Sequence, residues 1–583
     1  MTPHTAPDIA VVGLGAVGEP LLRMLYGAGH RVVGVDRHPQ VLARVERSLK
    51  EAEVPPPGPD GTPGVLLVND LARLGAVETV IEAVTEDWDT KAEVLRSIGR
   101  HTLPRAVVLT TTARLPVTGL ALASGRPRHT LGLRLFTPPR PGGPAALVET
   151  GMVLGEAVAC ADRLVARSGL RKVTVAAGPA GDAADLVYGL LNQAAALYAE
   201  GHASRDDIDT AMRSGCGLPM GPLALLDAVG LDTVRTALER AAARTGDPFF
   251  RPADVLRRLC AEGSTGRAAG QGFYTYDRLG DPKADGPAAP SAGQPRETRR
   301  VGVVGSGTMA RGIAQVVTRA GVPTVLVARS EQRAAEAVRA VDDSMVRAVR
   351  RGRLKPADRA RAAELLEGAG DLQAVAGCDL VIEAVVEDME VKRKVFASLG
   401  RICAADAVLA TTTSSLSVAG CAAPAGRPER VVGLHFFNPA PAMRLVELVH
   451  TSGTAADTVA TARAFCERVG RTAVGCTDRA GFVVNRLLFP YLGAAVRLLA
   501  RDDADIEETD AAVEQGFGFP MGPFALLDTV GLDVSLAICR RLHAAFPEPA
   551  TAPPPLLESA VTGGLFGNKN GQGFCTHTGT RVP

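Results

Sequence analysis

His435 closes an apolar, β-branched run, Val432-Gly433-Leu434-His435-Phe436-Phe437-Asn438-Pro439, and a carboxylate, Glu447, follows in Leu445-Val446-Glu447. An imidazole can take the proton of an alcohol and give it back in the reverse direction. A carboxylate on the other ring nitrogen would fix the tautomer and stabilise the imidazolium, as in a triad without a nucleophile. Upstream, Gly305-Ser306-Gly307-Thr308-Met309-Ala310 follows a β-branched run and opens a helical pattern. In such a turn the first glycine permits the bend and the second lets backbone N–H groups approach a pyrophosphate. The small third position lets the helix pack on the strand. A proton acceptor and a dinucleotide cradle together point to hydride transfer at a secondary alcohol or its ketone. Neither signal is specific alone, since a single histidine after a strand is usually a core residue and a glycine turn is usually structural.

These groups need a rigid frame, and short β-branched runs alternating with helical patterns supply one. The runs VGVVG (301–305), TVLVA (324–328), DLVIEAV (379–385), AVLATTT (407–413) and RVVGLHFF (430–437) predict strands of a parallel sheet. GFVVNRLLFPYLGAAVRLLA (481–500) has helical periodicity instead. The expected unit is an α/β Rossmann-type, doubly wound sheet domain followed by a smaller all-α domain.

That unit occurs twice. IAVVGLGAVG at the start parallels VGVVGSGTMA at Val301, and TVIEAVTEDWDTKAEVL (79–95) parallels LVIEAVVEDMEVKRKVF (380–396). LTTTARLPV (109–117) matches ATTTSSLSV (410–418), and GLPMGPLALLDAVGLD (217–232) matches GFPMGPFALLDTVGLD (518–533). The expected boundaries are 1–178 and 179–279 for the sheet and helical domains of copy one. A Pro- and Gly-rich exposed linker over 280–298 separates them from 299–477 and 478–583 in copy two.

With 583 residues the chain is too long for one core, and its 46% hydrophobic and 22% charged residues are those of an ordinary globular protein. A formal net charge of +1 favours neither nucleic acid nor an anionic membrane surface. The ten cysteines are scattered without C-x-x-C or zinc-like spacing, so no metal site and no disulfide framework is expected. Neither an export signal nor a membrane-spanning run is evident, so the expected location is cytoplasmic.

The HFFNP segment with its following Leu-Val-Glu resembles the 3-hydroxyacyl-CoA dehydrogenase family, whose members include 3-hydroxybutyryl-CoA dehydrogenases. The resemblance runs through all of copy two, from the glycine loop through GFVVNRLL to the terminal NGQGF. It implies a role in fatty acid metabolism, with His435 as general acid/base and Glu447 as its partner. Ser414 and Asn485 would contact the substrate oxygens. It further implies that Glu387 and Lys392 meet the ribose and phosphates of the cofactor, that Asn438 lies near the nicotinamide, and that Lys569 contacts the cofactor. Thr412 stands where the family usually has Asn. The basic stretch 345–366, with Arg347, Arg350, Arg351, Arg353 and Lys355, reads as one helical excursion and a surface for acyl-CoA phosphates. An acyl-carrier protein could use the same surface.

Copy one carries the fuller loop, Gly13, Gly15 and Gly18, and keeps Asp36, which could accept hydrogen bonds from an adenosine ribose and repel a 2′-phosphate. Copy two has Ala328 there, followed by Arg329 and Ser330, a cation and a hydroxyl suited to a 2′-phosphate. NADP(H) is therefore the expected cofactor of copy two, with NAD the alternative, and NAD is possible in copy one. Chemistry in copy one is not expected, because Arg134 replaces His435 and arginine stays protonated. Ala113 replaces Ser414, and Asn485 meets Asp185 or Ala184, while Glu149 matches Glu447. Copy one is then expected to act as an intrachain pseudo-dimer partner through the helical domains, unless the chain forms homo-oligomers. Two other readings are a dehydrogenase of free β-hydroxyacids and a nucleotide-binding scaffold without catalysis.

Overall fold

The computed structural model describes residues 9–575 apart from 58–61, 113, 114, 116, 137, 149–152, 174–179, 277–282, 284–292, 502–504 and 518. Copy one contains strands β1 (Ile9–Val12), β2 (Arg31–Val35), β3 (Gly64–Val68), β4 (Thr79–Glu82), β5 (Val107–Thr110), β6 (Thr130–Leu135), β7 (Pro144–Val148) and β8 (Arg171–Lys172). Copy two repeats them as β9 (Val301–Val304), β10 (Thr324–Val327), β11 (Leu366–Ala369), β12 (Leu380–Glu383), β13 (Val408–Thr411), β14 (Val431–Phe436), β15 (Leu445–His450) and β16 (Thr472–Thr477). Each set forms an eight-stranded sheet, ordered β3-β2-β1-β4-β5-β6-β7-β8 and β11-β10-β9-β12-β13-β14-β15-β16. The first six strands of each are parallel; β15 runs antiparallel to β14 and parallel to β16, as β7 does to β6 and β8. Strand order reverses beside β9, so the crevice for a ligand lies beyond the carboxyl ends of β9 and β12.

The parallel strands are unbroken apolar runs because helices cover both faces; β9, β10, β12 and β13 are buried throughout. The five strands expected in copy two are all present. β11, β15 and β16 are added to them, the last two forming the antiparallel margin that carries Glu447. The basic stretch is not one helix. The helix Glu331–Arg350 ends in a turn where Gly352 has φ 67°, and Pro356 opens a second helix, Pro356–Glu364. The end of the supposed linker is also docked rather than free: Arg296 pairs with Asp457 at 2.7 Å and Thr298 is buried. No helix among the described residues is long and apolar enough to cross a membrane.

The helical domains of the two copies share a core. Leu186, Leu190 and Leu191 of the helix Ala180–Ala199 lie in one buried cluster with Phe489, Leu492 and Val496 of the helix Val484–Leu499. Phe517 meets Phe136 and Tyr188 of copy one edge-on, with ring centroids 6.5 and 6.2 Å apart. Arg497 Nε donates to Asp247 Oδ2 at 2.6 Å across the same boundary. At Gly215 of copy one the backbone packs closely on copy two: a Cβ there would lie 2.6 Å from Leu445 Cδ2 and 3.3 Å from Val484 Cγ2. Gly215→Leu is therefore expected to wedge the copies apart, at about 1–3 kcal/mol. A denaturant titration reads this directly; an unchanged midpoint and slope would show that this contact does not hold in solution.

Candidate active site

His435 and Glu447 are direct cross-strand partners in the β14–β15 ladder, which places their side chains next to one another on one face. His435 Nδ1 lies 2.7 Å from Glu447 Oε2. A carboxylate can only accept, so Nδ1 carries the proton, and Nε2 is left as the acceptor with no partner among the described residues. Glu447 is fully buried, and its second oxygen accepts from the N–H groups of Val483 (3.0 Å) and Val484 (2.8 Å). Those N–H groups open the helix Val484–Leu499, whose positive end favours the anion. Phe482, just before, adopts the left-handed region at φ 47°, and its ring centroid is 5.7 Å from that of His435. Phe437 flanks the imidazole at 4.6 Å. Asn485 sits in the first turn of the same helix, half-buried, its amide without a hydrogen-bond partner among the described residues.

Ser414 follows the end of β13, where Thr411 lies in parallel register with Gly433 of β14, so Ser414 and His435 leave the same edge of the sheet. Glu387 organises this loop. Its Oε1 accepts from Thr413 Oγ1 (2.7 Å), Ser414 N (2.9 Å), Ser415 Oγ (3.1 Å) and, more loosely, Ser414 Oγ (3.3 Å). Burial opposes ionisation of Glu387, but the Thr413 hydroxyl, the Lys392 ammonium and the Ser414 N–H outweigh it and hold its pKa below the ordinary value. Arg541, from the helical domain, reaches across to donate to Ser415 Oγ at 2.7 Å. Thr413, Ser415, Arg541 and Phe482 were not singled out by the sequence. The Thr-Thr-Thr-Ser-Ser run was visible there, but the carboxylate that ties it together is distant in the chain.

Lys392 corrects an expectation. It is fully buried, with Nζ 2.8 and 3.0 Å from the two oxygens of Glu383 and 3.5 Å from Glu387 Oε2. Thr411 Oγ1 and Val385 N complete the shell of Glu383. With no exposed surface and two carboxylates on it, the ammonium presents no face to a phosphate in this structure. Lys569 is likewise held elsewhere, on Asp533 at 2.7 and 2.8 Å in the helical domain. Asn438 is exposed immediately before Pro439.

The glycine loop of copy two fits a dinucleotide. Gly305 has φ 137°, and a Cβ there would lie 2.3 Å from the Ala384 carbonyl. Gly307 N-caps the helix Thr308–Arg319 without a side-chain cap, and a Cβ on it would meet nothing. Its neighbour Thr308 is exposed and Met309 half-buried. An uncapped helix N-terminus facing open space is an anion seat. Beyond β10, Ala328 is buried and Arg329 exposed without a partner among the described residues, while Ser330 caps the next helix by accepting from Arg333 N. Arg347, Arg350, Arg351, Arg353 and Lys355 are exposed around the Gly352 turn, with no ion pair among the described residues.

The loop of copy one is arranged differently. Its helix begins only at Gly18, where a Cβ would strike the Gly13 carbonyl, and Gly15 is exposed. Leu14 is fully buried. Asp36 accepts from Leu14 N and His38 N, both at 2.9 Å, and Arg44 ties the Leu14 carbonyl to Glu19. The carboxylate expected to await a ribose is thus engaged by its own chain. Arg134, at the position of His435, is half-buried, and burial lowers its pKa against the opposing pull of Tyr188 and Glu86. Ala113 and Glu149 lie outside the described residues, and Asp185 stands 3.6 Å from Arg244.

Comparison with known proteins places this geometry in context. A family model described as 3-hydroxyacyl-CoA dehydrogenase, NAD binding domain, matches residues 8–175 and 300–479. A second, described as 3-hydroxyacyl-CoA dehydrogenase, C-terminal domain, matches 184–276 and 481–577. The 3-hydroxybutyryl-CoA dehydrogenase of Mycobacterium tuberculosis strain H37Rv is 44% identical over 281 residues, covering 48% of this chain and 98% of that protein. Among solved structures, 3-hydroxybutyryl-CoA dehydrogenase from Escherichia coli K12 is 38% identical, covering 49% of this chain and 61% of that one, with a TM-score of 0.48. The (S)-3-hydroxybutyryl-CoA dehydrogenase of Ralstonia eutropha is 35% identical, covering 48% of this chain and 100% of that one, with a TM-score of 0.47.

The burial of Lys392 makes a prediction that separates framework from cofactor site. Lys392→Met leaves Glu383 buried and unpaired, which should cost about 3–5 kcal/mol of stability. The coenzyme KM of the remaining folded enzyme should stay within about twofold. A selective rise in coenzyme KM at unchanged stability would return Lys392 to the cofactor site.

Proposed function

The chain belongs to the 3-hydroxyacyl-CoA dehydrogenase family, and from that premise we propose that residues 299–583 interconvert a 3-hydroxyacyl thioester of coenzyme A and its 3-ketoacyl form, with His435 and Glu447 as the proton-transfer pair. The observation that carries this reading is the 2.7 Å bond from His435 Nδ1 to a buried carboxylate whose other oxygen is saturated by a helix N-terminus. In oxidation, Nε2 takes the hydroxyl proton, and Glu447 stabilises the imidazolium that results. In reduction, the same Nε2 returns the proton. The Gly305–Thr308 turn would hold a nicotinamide dinucleotide, which would supply the hydride acceptor or donor. The Ser414 hydroxyl and the Asn485 amide hydrogen-bond the reacting oxygen and stabilise charge developing on it. The exposed cations from Arg347 to Lys355 offer charge-assisted contacts to the phosphates of coenzyme A.

The coenzyme of copy two is NADPH on this reading. Arg329 is an exposed cation at the ribose end of β10 with no partner among the described residues, and the carboxylate that would repel a 2′-phosphate is missing at Ala328. Copy one, with Arg134 at the proton-transfer position, carries no second reaction.

Four measurements follow. With acetoacetyl-CoA as substrate, His435→Gln should lower kcat by about 10²- to 10⁴-fold and leave the thioester KM within about threefold; undiminished turnover would exclude the pair. Glu447→Gln should lower kcat by a comparable order, because an amide can donate to Nδ1 and leave the proton on Nε2, the wrong tautomer for accepting the hydroxyl proton. In the intact chain, kcat/KM should be higher with NADPH than with NADH. Arg329→Asp should cut the NADPH value by about 10- to 100-fold, the worth of a charge-assisted hydrogen bond. A wild-type preference for NADH rejects the coenzyme assignment and leaves the reaction standing.

A further inference from the structure

We propose that His202, a residue of the first copy, positions the proton-transfer pair of the second, so that the helical domain of one copy is a working part of the other's active site. The proposal rests on the assignment of His435 and Glu447 made above.

His202 is 1% exposed and lies just beyond the helix Ala180–Ala199. Its Nε2 is 2.9 Å from the Phe482 carbonyl, and its Nδ1 is 2.6 Å from Thr477 Oγ1. The carbonyl can only accept, so the proton is on Nε2, and Nδ1 accepts the Thr477 hydroxyl. The backbone joins in, with Thr477 N donating to the His202 carbonyl at 3.0 Å. One imidazole therefore bridges the last residue of β16 and the residue that leads into the helix Val484–Leu499. Glu200 reinforces the same junction, accepting from Arg479 Nη1 at 2.8 Å and from Arg486 Nη2 at 3.1 and 2.9 Å.

The link to the chemistry is a single peptide group. The Phe482 carbonyl and the Val483 N–H belong to one rigid plane. His202 holds the oxygen end of that plane, and Glu447 Oε1 holds the nitrogen end at 3.0 Å. Glu447 Oε2 in turn orients His435. A donor on the carbonyl polarises the peptide and strengthens the N–H bond on its far side. It also secures Phe482, whose left-handed backbone persists only when its surroundings hold it there. Burial pushes the His202 pKa down, the Phe482 carbonyl pulls it back, and Arg486 and Arg479 lower it further against Glu200. The net effect keeps the ring neutral, as the two bonds require.

The test uses the full chain with two substitutions. His202→Leu fills the space without a donor, and His202→Gln keeps an N–H for the Phe482 carbonyl. At a temperature where circular dichroism shows each variant folded, His202→Leu should lower kcat at least about tenfold, while KM for thioester and coenzyme stays within about twofold. His202→Gln should restore kcat to within about threefold of the wild type. Independently of turnover, the downfield proton resonance of the His435 Nδ1–H bond, identified by its loss in His435→Gln, should move or broaden in His202→Leu and be retained in His202→Gln. Wild-type kcat and an unmoved resonance in His202→Leu would overturn the proposal, as would equal losses in both variants. If the wild type turns over no 3-ketoacyl thioester, the assigned reaction fails, and the resonance still decides the positioning.

Discussion

A carboxylate with no solvent contact is tolerated only when its oxygens are used, and the arrangement of copy two follows from how Glu447 meets that requirement. One oxygen takes the imidazole N–H of the neighbouring strand, and the other takes the first N–H groups of a helix from the next domain. The register of antiparallel β15 against β14 sets Glu447 directly opposite His435 and makes the first bond possible. The abrupt entry through Phe482 makes the second possible. The same carboxylate therefore orders the imidazole and ties the sheet domain to the helical domain.

Much of this was legible in the sequence. The β-branched runs marked the five inner strands because a strand covered on both faces must be apolar throughout, and that pattern has no polar interruption to hide it. β15 and β16 were less visible because Glu447 interrupts the apolar run of the first and threonines and Gly475 break up the second. The break in the basic stretch turned on Gly352 and Pro356, which a long run of helix-forming arginines and alanines outweighed by eye. At the site, His435 and Glu447 were readable through the resemblance of HFFNP and the following Leu-Val-Glu, and the fold sets the two opposite one another. Lys392 was set beside the cofactor by the resemblance alone, and only the fold shows Glu383 beneath it. Nothing near His202 in the sequence hints at a partner that lies far down the chain.

The two copies separate framework from chemistry. In both, a lysine is buried on a glutamate at the end of the fourth strand, Lys91 on Glu82 and Lys392 on Glu383, each 2.8 Å apart. In both, a strand threonine donates to that glutamate, Thr110 in one and Thr411 in the other. The loop beyond repeats as well, Thr112 on Glu86 and Thr413 on Glu387. Against this constancy, the imidazole position holds Arg134 in one copy and His435 in the other. The buried network serves the sheet in both halves, whichever side chain stands at its edge.

The close packing of the two helical domains has a consequence for how such a chain can change. In an assembly of identical subunits, every substitution at the contact appears on both sides of the symmetry axis and must suit both. Here each position at the boundary occurs once. His202 can be shaped to the turn it grips without imposing the same residue on the opposite face, and a small residue such as Gly215 can admit Leu445 on one side only. The tether also keeps the partner at hand at any dilution. Joining the halves end to end thus frees each to vary at the contact without changing the other.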